Sequence, residues 1–322
     1  MRVVVTDYTF ENMDIERRIF DASGIVLVEA QCRSPKDLIS IVADADAVIT
    51  QFAPIDEMVI GAMNQAKVIV RYGIGVDNVN LEAAKRKGIP VCNVPDYCIQ
   101  EVADHTMAFI LALTRQVVVH SNRVHSGNWG LGVPVQTFRT LADMTVGVVG
   151  FGRIGKAVVK RLVAFNAKVI VSDPVANHEE IINAGAVPAG FEELIAQSDC
   201  VTLHCPSMAS TRKIINSDSL KKAKRGLILV NLARGDLIDV EALIEALDSG
   251  VISSAALDVF SPEPIPSGHA ILNRLNVILA PHIASVSDAA VSRLRTTVAN
   301  VAVAALKGYP LNSVVNGVSI PK

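Results

Sequence analysis

Gly150-Phe151-Gly152-Arg153-Ile154-Gly155 is the stretch on which the reading of this chain turns. A β-branched apolar run at 145–149 leads directly into it, and a helical pattern at 154–165 leaves it. A second apolar run at 168–172 then ends on Asp173, 18 residues past Gly155. Each part has a physical use. The first glycine makes a tight turn, the second lets backbone approach a pyrophosphate, and the third lets the helix pack closely on its strand. Amides at the helix N-terminus then face the phosphates with the positive end of the helix dipole. Gly73-Ile74-Gly75 also follows an apolar run, but it continues Val76-Asp77-Asn78 with no third glycine. Only the turn at 150 carries the whole context.

The acid supplies the nucleotide preference. Asp173 would accept hydrogen bonds from the adenosine ribose hydroxyls and repel a 2′-phosphate. Pro174-Val175-Ala176 offers no arginine to receive that phosphate, so NAD is the expected cofactor.

Working outward, short apolar runs alternate with helical patterns along most of the chain, which implies βαβ units and parallel sheets. The first series of strands is expected at 3–6, 24–29, 47–50, 68–72 and 89–92. The second is expected at 145–149, 168–172, 200–204, 227–231, 255–257 and 277–279, six strands that match a complete doubly wound sheet. An apolar helix at 99–116 and a polar stretch around Ser126-Gly127-Asn128-Trp129-Gly130 separate the two series. A long helix at 289–307 follows the last strand. The expected organisation is a discontinuous first domain, 1–97 with 290–322, and a second domain, 98–289, with the tail folding back onto the first.

At 322 residues the chain suits two cores better than one. Hydrophobic residues make up 50% and aromatics only 4%, so small aliphatic side chains must fill the interior, as in parallel strands covered on both faces. Thirty basic against 32 acidic residues, formally −2, give no general attraction to nucleic acid or an anionic membrane. The apolar segment at 99–114 contains Glu101, Asp104 and His105, which argues against a membrane span. Five scattered cysteines without a CxxC, and a first strand starting at Arg2, lead to the expectation of a cytoplasmic protein without a signal peptide.

Ligands of open parallel sheets bind beyond the carboxyl ends of the strands. There, run 227–231 leads to Arg234, run 255–257 to Asp258 and Glu263, and run 277–279 to His282. Interconverting a 2-hydroxy acid and its 2-oxo acid needs this kit. Histidine moves the hydroxyl proton while hydride moves at carbon. A nearby carboxylate such as Glu263 stabilises the imidazolium of His282. An arginine such as Arg234 holds the substrate carboxylate in a fork, and Asp258 would meet the carboxamide of the nicotinamide.

These stretches, with Val230-Asn231-Leu232-Ala233-Arg234-Gly235, Ala256-Leu257-Asp258-Val259-Phe260, Pro281-His282-Ile283 and the loop from Gly73 to Asn78, resemble the D-isomer-specific 2-hydroxyacid dehydrogenases over nearly the whole chain. The resemblance implies two doubly wound parallel-sheet domains. The larger would be a Rossmann NAD-binding domain and the smaller a flavodoxin-like substrate domain. It also implies a catalytic set of Arg234, Glu263 and His282, and a substrate carboxylate bound by Arg234 and by the amides of Ile74 and Gly75. Nucleotide contacts would come from Gly150, Gly152, Arg153, Ile154, Gly155, Asp173, Cys205, Pro206, Ala233 and Asp258, with Thr106 a further candidate. The family further implies a homodimer, built through helix 99–116 and the arm around Trp129.

Taken singly, His282 reads equally as a strand cap and Arg234 as a partner of Asp236, yet four functional groups after three successive strands favour a site. His204 is read as lining the nucleotide cleft and His105 as a packing residue. His120, His125, His178 and His269 have no ligand spacing, so no metal is expected. Cys98 and Cys205 read as structural thiols. The substrate stays open among phosphoglycerate, glyoxylate or hydroxypyruvate, and a branched 2-oxo acid. Asp199–Cys205 and Glu101 with Asp104 are also similar to the C-terminal-binding protein corepressors, NAD(H)-sensing proteins that recruit partners; short termini favour the enzyme.

Overall fold

The computed structural model describes residues 1–318. The chain divides into two compact units, Met1–Tyr97 with the segment from Ser287 onward, and Cys98–Val286.

The first unit holds five parallel strands, β1 (Arg2–Val5), β2 (Val26–Glu29), β3 (Ala47–Thr50), β4 (Ile69–Arg71) and β5 (Val91–Cys92), ordered β2-β1-β3-β4-β5. That is the flavodoxin-like order. Helices Pro35–Val42, Glu57–Ala62 and Leu81–Arg86 pack one face through Leu38, Val42, Val59, Ile60, Ala83 and Ala84. Each starts on a side-chain cap (Ser34, Asp56 or Asn80), so the local sequence fixes where it begins. Helices Asp14–Asp21 and Asp288–Leu306 pack against each other, the second also against β3 and β4. Ser287 caps that long helix by accepting from the Ala290 amide at 3.0 Å.

A buried charge pair joins those two helices. Arg295 donates from Nη2 to Glu16 at 2.7 Å and from Nε to both carboxylate oxygens at 3.0 and 3.1 Å. The hydroxyl of Tyr72, just after β4, donates to the same carboxylate at 3.0 Å. Breaking such a pair strands a charge in the core. Arg295→Met is therefore expected to cost about 3–5 kcal/mol in urea unfolding. A loss below about 1 kcal/mol would show that solvent reaches Glu16 after all.

The second unit holds seven parallel strands: β6 (Thr145–Val149), β7 (Lys168–Ser172), β8 (Val187–Pro188), β9 (Cys200–Leu203), β10 (Leu227–Asn231), β11 (Ile252–Leu257) and β12 (Val277–Leu279). Their order is β12-β11-β10-β9-β6-β7-β8. The sequence pattern gives six strands here, and the extra one is β8. It is two residues long, pairs with Ile170 and Val171, and contains a proline tolerated at a sheet edge. The Rossmann order is therefore completed by β8, and β12 is a seventh strand outside β11. Strands β9 and β10 are buried along their whole length, as expected of strands covered on both faces.

The helix expected at 99–116 ends at Thr114. Gln116 takes a left-handed conformation, φ 56°, and a separate helix, Val117–His125, follows at a 65° bend. The run Val117-Val118-Val119 is a poor helix signal because β-branched side chains lose χ1 freedom there. Among the described residues no single helix is long and apolar enough to cross a membrane; only this bent pair passes by length and composition.

Candidate active site

Strand order in the second unit reverses between β6 and β9, so a crevice opens at their carboxyl ends. Gly150 leaves β6 with φ 100°, and its amide donates to the Ser172 carbonyl at 2.9 Å. A Cβ on Gly150 would lie 2.6 Å from the Cys205 nitrogen, and one on Gly155 would strike the Gly150 carbonyl oxygen. Backbone crowding therefore requires glycine at both positions. Beside Gly152, by contrast, the space is open, and no side chain caps the helix Arg153–Ala164 that it begins. A nucleotide pyrophosphate fits this cradle, which offers uncapped first-turn amides and the positive end of a three-turn helix. Arg153 is exposed and Ile154 half-buried on that first turn.

Asp173, after β7, lies beside the turn. Its carboxylate accepts from Phe151 N at 2.7 Å, Val175 N at 2.9 Å and Ala176 N at 3.2 Å. It thus shapes the glycine turn and sets a carboxylate beside it. Cys205 and Pro206 follow β9, and burial pushes the Cys205 thiol up to about 11, so it stays protonated. The backbone of His204 borders Gly150, while its ring turns back to Thr202 Oγ1 at 2.9 Å. Burial pushes that ring down to about 3 and keeps it neutral. Thr106 is fully buried and donates to the Val102 carbonyl of its own helix at 2.7 Å.

Three loops at the carboxyl ends of β10, β11 and β12 carry the polar groups. After β10, the buried Asn231 accepts from Ala233 N at 3.0 Å and donates to the Arg234 carbonyl at 2.8 Å, which clamps the loop bearing Arg234. Arg234 Nη1 donates to the Ala233 carbonyl at 2.7 Å. Asp236 accepts from Ser207 at 2.6 Å and lies 3.4 Å from Arg212. Gly235 has the backbone of Phe260 against it, so close that a Cβ would overlap the Phe260 carbonyl. Phe260 N in turn donates to Glu263 Oε1 at 2.7 Å, and Glu263 Oε2 lies 2.8 Å from His282 Nδ1. A chain of contacts thus runs from the Arg234 loop to the imidazole.

The Glu263 side chain is 32% exposed, and its partial desolvation alone would raise its pKa. The hydrogen bonds from His282 and from the Phe260 amide, with the nearby Arg234 charge, outweigh burial and hold the carboxyl below the usual glutamate range. Its charge is thus kept into mild acid, where it can balance an imidazolium. His282 itself takes a left-handed backbone, φ 54°, held by Asp258. The Asp258 carbonyl accepts from His282 N at 2.8 Å, and its fully buried carboxylate accepts from Ile283 N at 2.8 Å and Ala284 N at 2.9 Å.

In the first unit, the loop after β4 presents Ile74 and Gly75, both half-buried. Among the described residues neither amide N–H has an acceptor.

The clamping residues Asn231, Gly235 and Asp258 were not legible as a set. Asn231 sits inside a quoted motif, but nothing in the sequence shows that it folds back on Arg234. The sequence points to Asp258 as a nicotinamide contact; the structure adds that both its oxygens hold the His282 turn.

Residues 107–284 match the family described as D-isomer specific 2-hydroxyacid dehydrogenase, NAD binding domain. D-3-phosphoglycerate dehydrogenase of Homo sapiens is 36% identical over 301 residues, 93% of this chain and 56% of that protein. The chain thus spans about half the length of that relative. Glyoxylate reductase of Thermofilum pendens is 36% identical over 287 residues, 88% of this chain and 85% of that protein. The crystal structure of D-lactate dehydrogenase from Aquifex aeolicus, complexed with NAD and lactic acid, superposes with a TM-score of 0.86 at 28% identity, covering 95% of this chain and 96% of that one. With its glycine cradle in the matched region and its strand-end loops in the second unit, this chain belongs to the D-isomer-specific 2-hydroxyacid dehydrogenase family, whose cofactor is NAD.

Proposed function

We propose that this chain is an NAD-dependent oxidoreductase that interconverts a small D-2-hydroxy acid and its 2-oxo acid. The observation that carries this reading is the 2.8 Å bond between His282 Nδ1 and Glu263, at the same sheet edge as the Arg234 loop and the glycine cradle. The bound cofactor supplies the hydride donor in one direction and the acceptor in the other. Arg234 receives the substrate carboxylate in a charged fork and polarises the 2-oxo group. His282 gives its proton to the oxygen as charge develops there, and takes one back in the oxidative direction. Glu263, itself anchored by the Phe260 amide, fixes the ring tautomer through Nδ1 and balances the imidazolium. Asp258 holds the turn that aims His282.

The substrate domain is assigned to the first unit, with the amides of Ile74 and Gly75 receiving the substrate carboxylate. The nucleotide contacts are assigned to the glycine turn with Arg153 and Ile154, to Asp173, to Cys205 and Pro206, and to Ala233 and Asp258. Thr106 is a further candidate: its hydroxyl donates to the Val102 carbonyl of its own helix and keeps its acceptor lone pairs. Phosphohydroxypyruvate, glyoxylate and hydroxypyruvate are the first acids to test. A panel of these with pyruvate and branched 2-oxo acids, assayed for NADH oxidation, decides the reading. Turnover of at least one is expected. NADH binding without any turnover would instead favour a partner-recruiting role.

Asp173→Asn tests the nucleotide assignment. Removing the charge relieves repulsion of a 2′-phosphate, so the ratio of kcat/KM with NADH to that with NADPH should fall by about tenfold. An unchanged ratio would move the ribose contact elsewhere.

A homodimer is the assembly we infer. Trp129 is 90% exposed, and Val117, Val118, Val124 and Leu131 are exposed nearby in sequence, whereas helix Ile99–Thr114 is largely buried within its own unit. An apolar arm of this kind marks an association surface, and a solution mass of one chain would remove it.

A further inference from the structure

We propose that Asn93 and the Tyr72–Glu16–Arg295 cluster are positioning residues that preset the 73–75 loop as a rigid cradle for the substrate carboxylate; this rests on the assignment of Ile74 and Gly75 as carboxylate donors.

The argument starts from peptide geometry. In a planar trans peptide the carbonyl of one residue and the N–H of the next point in opposite directions. The Gly73 carbonyl accepts from Val94 N at 2.9 Å, and the Ile74 carbonyl accepts from Asn93 Nδ2 at 2.6 Å. Both carbonyls are therefore held toward the 93–94 segment, and the N–H groups of Ile74 and Gly75 are turned the other way as a parallel pair. Neither N–H has an acceptor among the described residues. Two adjacent amides aimed alike form a small anion-binding nest. Asn93 is itself fixed: it is buried, and its amide donates to the Ser313 carbonyl at 3.3 Å.

The other end of the loop is held through Tyr72. Its ring is 2% exposed and packs edge-on against Phe10 at 5.2 Å between centroids. Its hydroxyl donates to Glu16, which Arg295 holds with three further bonds. Burial and the Glu16 charge push the phenol well above its ordinary value, so it stays a neutral donor. A buried ion pair is no better for stability than apolar packing of the same shape, so stability alone does not account for its presence. What it adds here is a fixed direction for the residue immediately before the cradle. A carboxylate site needs its donors held to within about half an ångström, and the two anchors restrain the loop's carbonyls and the residue that leads into it.

The test uses Asn93→Leu, similar in size but unable to donate, and Tyr72→Phe, which keeps the ring and loses the hydroxyl. The probes are the 2-oxo acid turned over best by the wild type and oxamate as a carboxylate-bearing inhibitor. Asn93→Leu is expected to raise both KM for the acid and Ki for oxamate about tenfold, with kcat and NADH affinity close to wild type and only a modest fall in thermal midpoint. Tyr72→Phe should move the same two constants about threefold. Gly75→Pro deletes one cradle amide and serves as the reference. If Gly75→Pro raises KM and Ki while the other two variants leave them alone, the positioning role is overturned and the carboxylate assignment stands. If Gly75→Pro binds NADH normally and changes neither constant, the carboxylate assignment itself fails. A fall in kcat, NADH affinity and melting temperature together in Asn93→Leu would reduce Asn93 to a structural residue and also overturn the proposal.

Discussion

His282→Ala is expected to lower kcat for reduction of the best 2-oxo acid by about a hundred- to ten-thousand-fold at neutral pH, the range typical of a lost general acid. NADH affinity should survive, because the glycine cradle is built by β6, β7 and β9 without help from the β12 loop. Glu263→Gln should cost less, since the amide still bonds Nδ1 but no longer balances charge. The acid limb adds a second check. Partial desolvation would raise the Glu263 pKa, but its bonds from His282 and the Phe260 amide and the Arg234 charge hold it below the ordinary glutamate value. A carboxyl lowered in the folded state stabilises the fold above its unfolded pKa, and that contribution is lost as pH falls through the folded value. The pair should therefore remain intact through the ordinary glutamate range and fail only in stronger acid. An active His282→Ala enzyme would remove the acid/base assignment.

Asp258→Ala is the second large effect, and it should appear in stability and turnover together. One buried residue organises three successive amides: its carbonyl accepts from His282, and its two oxygens accept from Ile283 and Ala284. Deleting the carboxylate orphans two donors at about 1–3 kcal/mol each. It also releases a histidine from a left-handed backbone that costs about 1–3 kcal/mol to maintain. A displacement of about an ångström in a reacting group is enough to cost about a hundredfold in rate. Denaturant unfolding and kcat, measured on one preparation, should fall together; Asp258→Asn, which keeps one acceptor, should fall less. Full stability with lost NADH affinity would instead make Asp258 chiefly a nucleotide ligand.

Features governed by local chemistry were the ones legible in the sequence. The turn at 150–155 could be read because crowding against Cys205 and the Gly150 carbonyl admits only glycine, and because strand, helix and acid follow in order. Arg234, Glu263 and His282 could be placed at one sheet edge because parallel strands all deliver their carboxyl ends there. Features set by long-range pairing were hidden. Two residues, Val187 and Pro188, become a strand only because β7 offers them an edge. The β-branched helix Val117–His125 contradicts its own propensity. Asn231 and Asp258 look like motif letters until their hydrogen bonds show what each restrains.

The configuration of the product is the most direct test of the central claim. NADH and the most rapidly reduced 2-oxo acid should yield the D-2-hydroxy acid with wild-type protein and almost none with His282→Ala. Formation of the L-enantiomer, or equal turnover by the two proteins, would contradict the account.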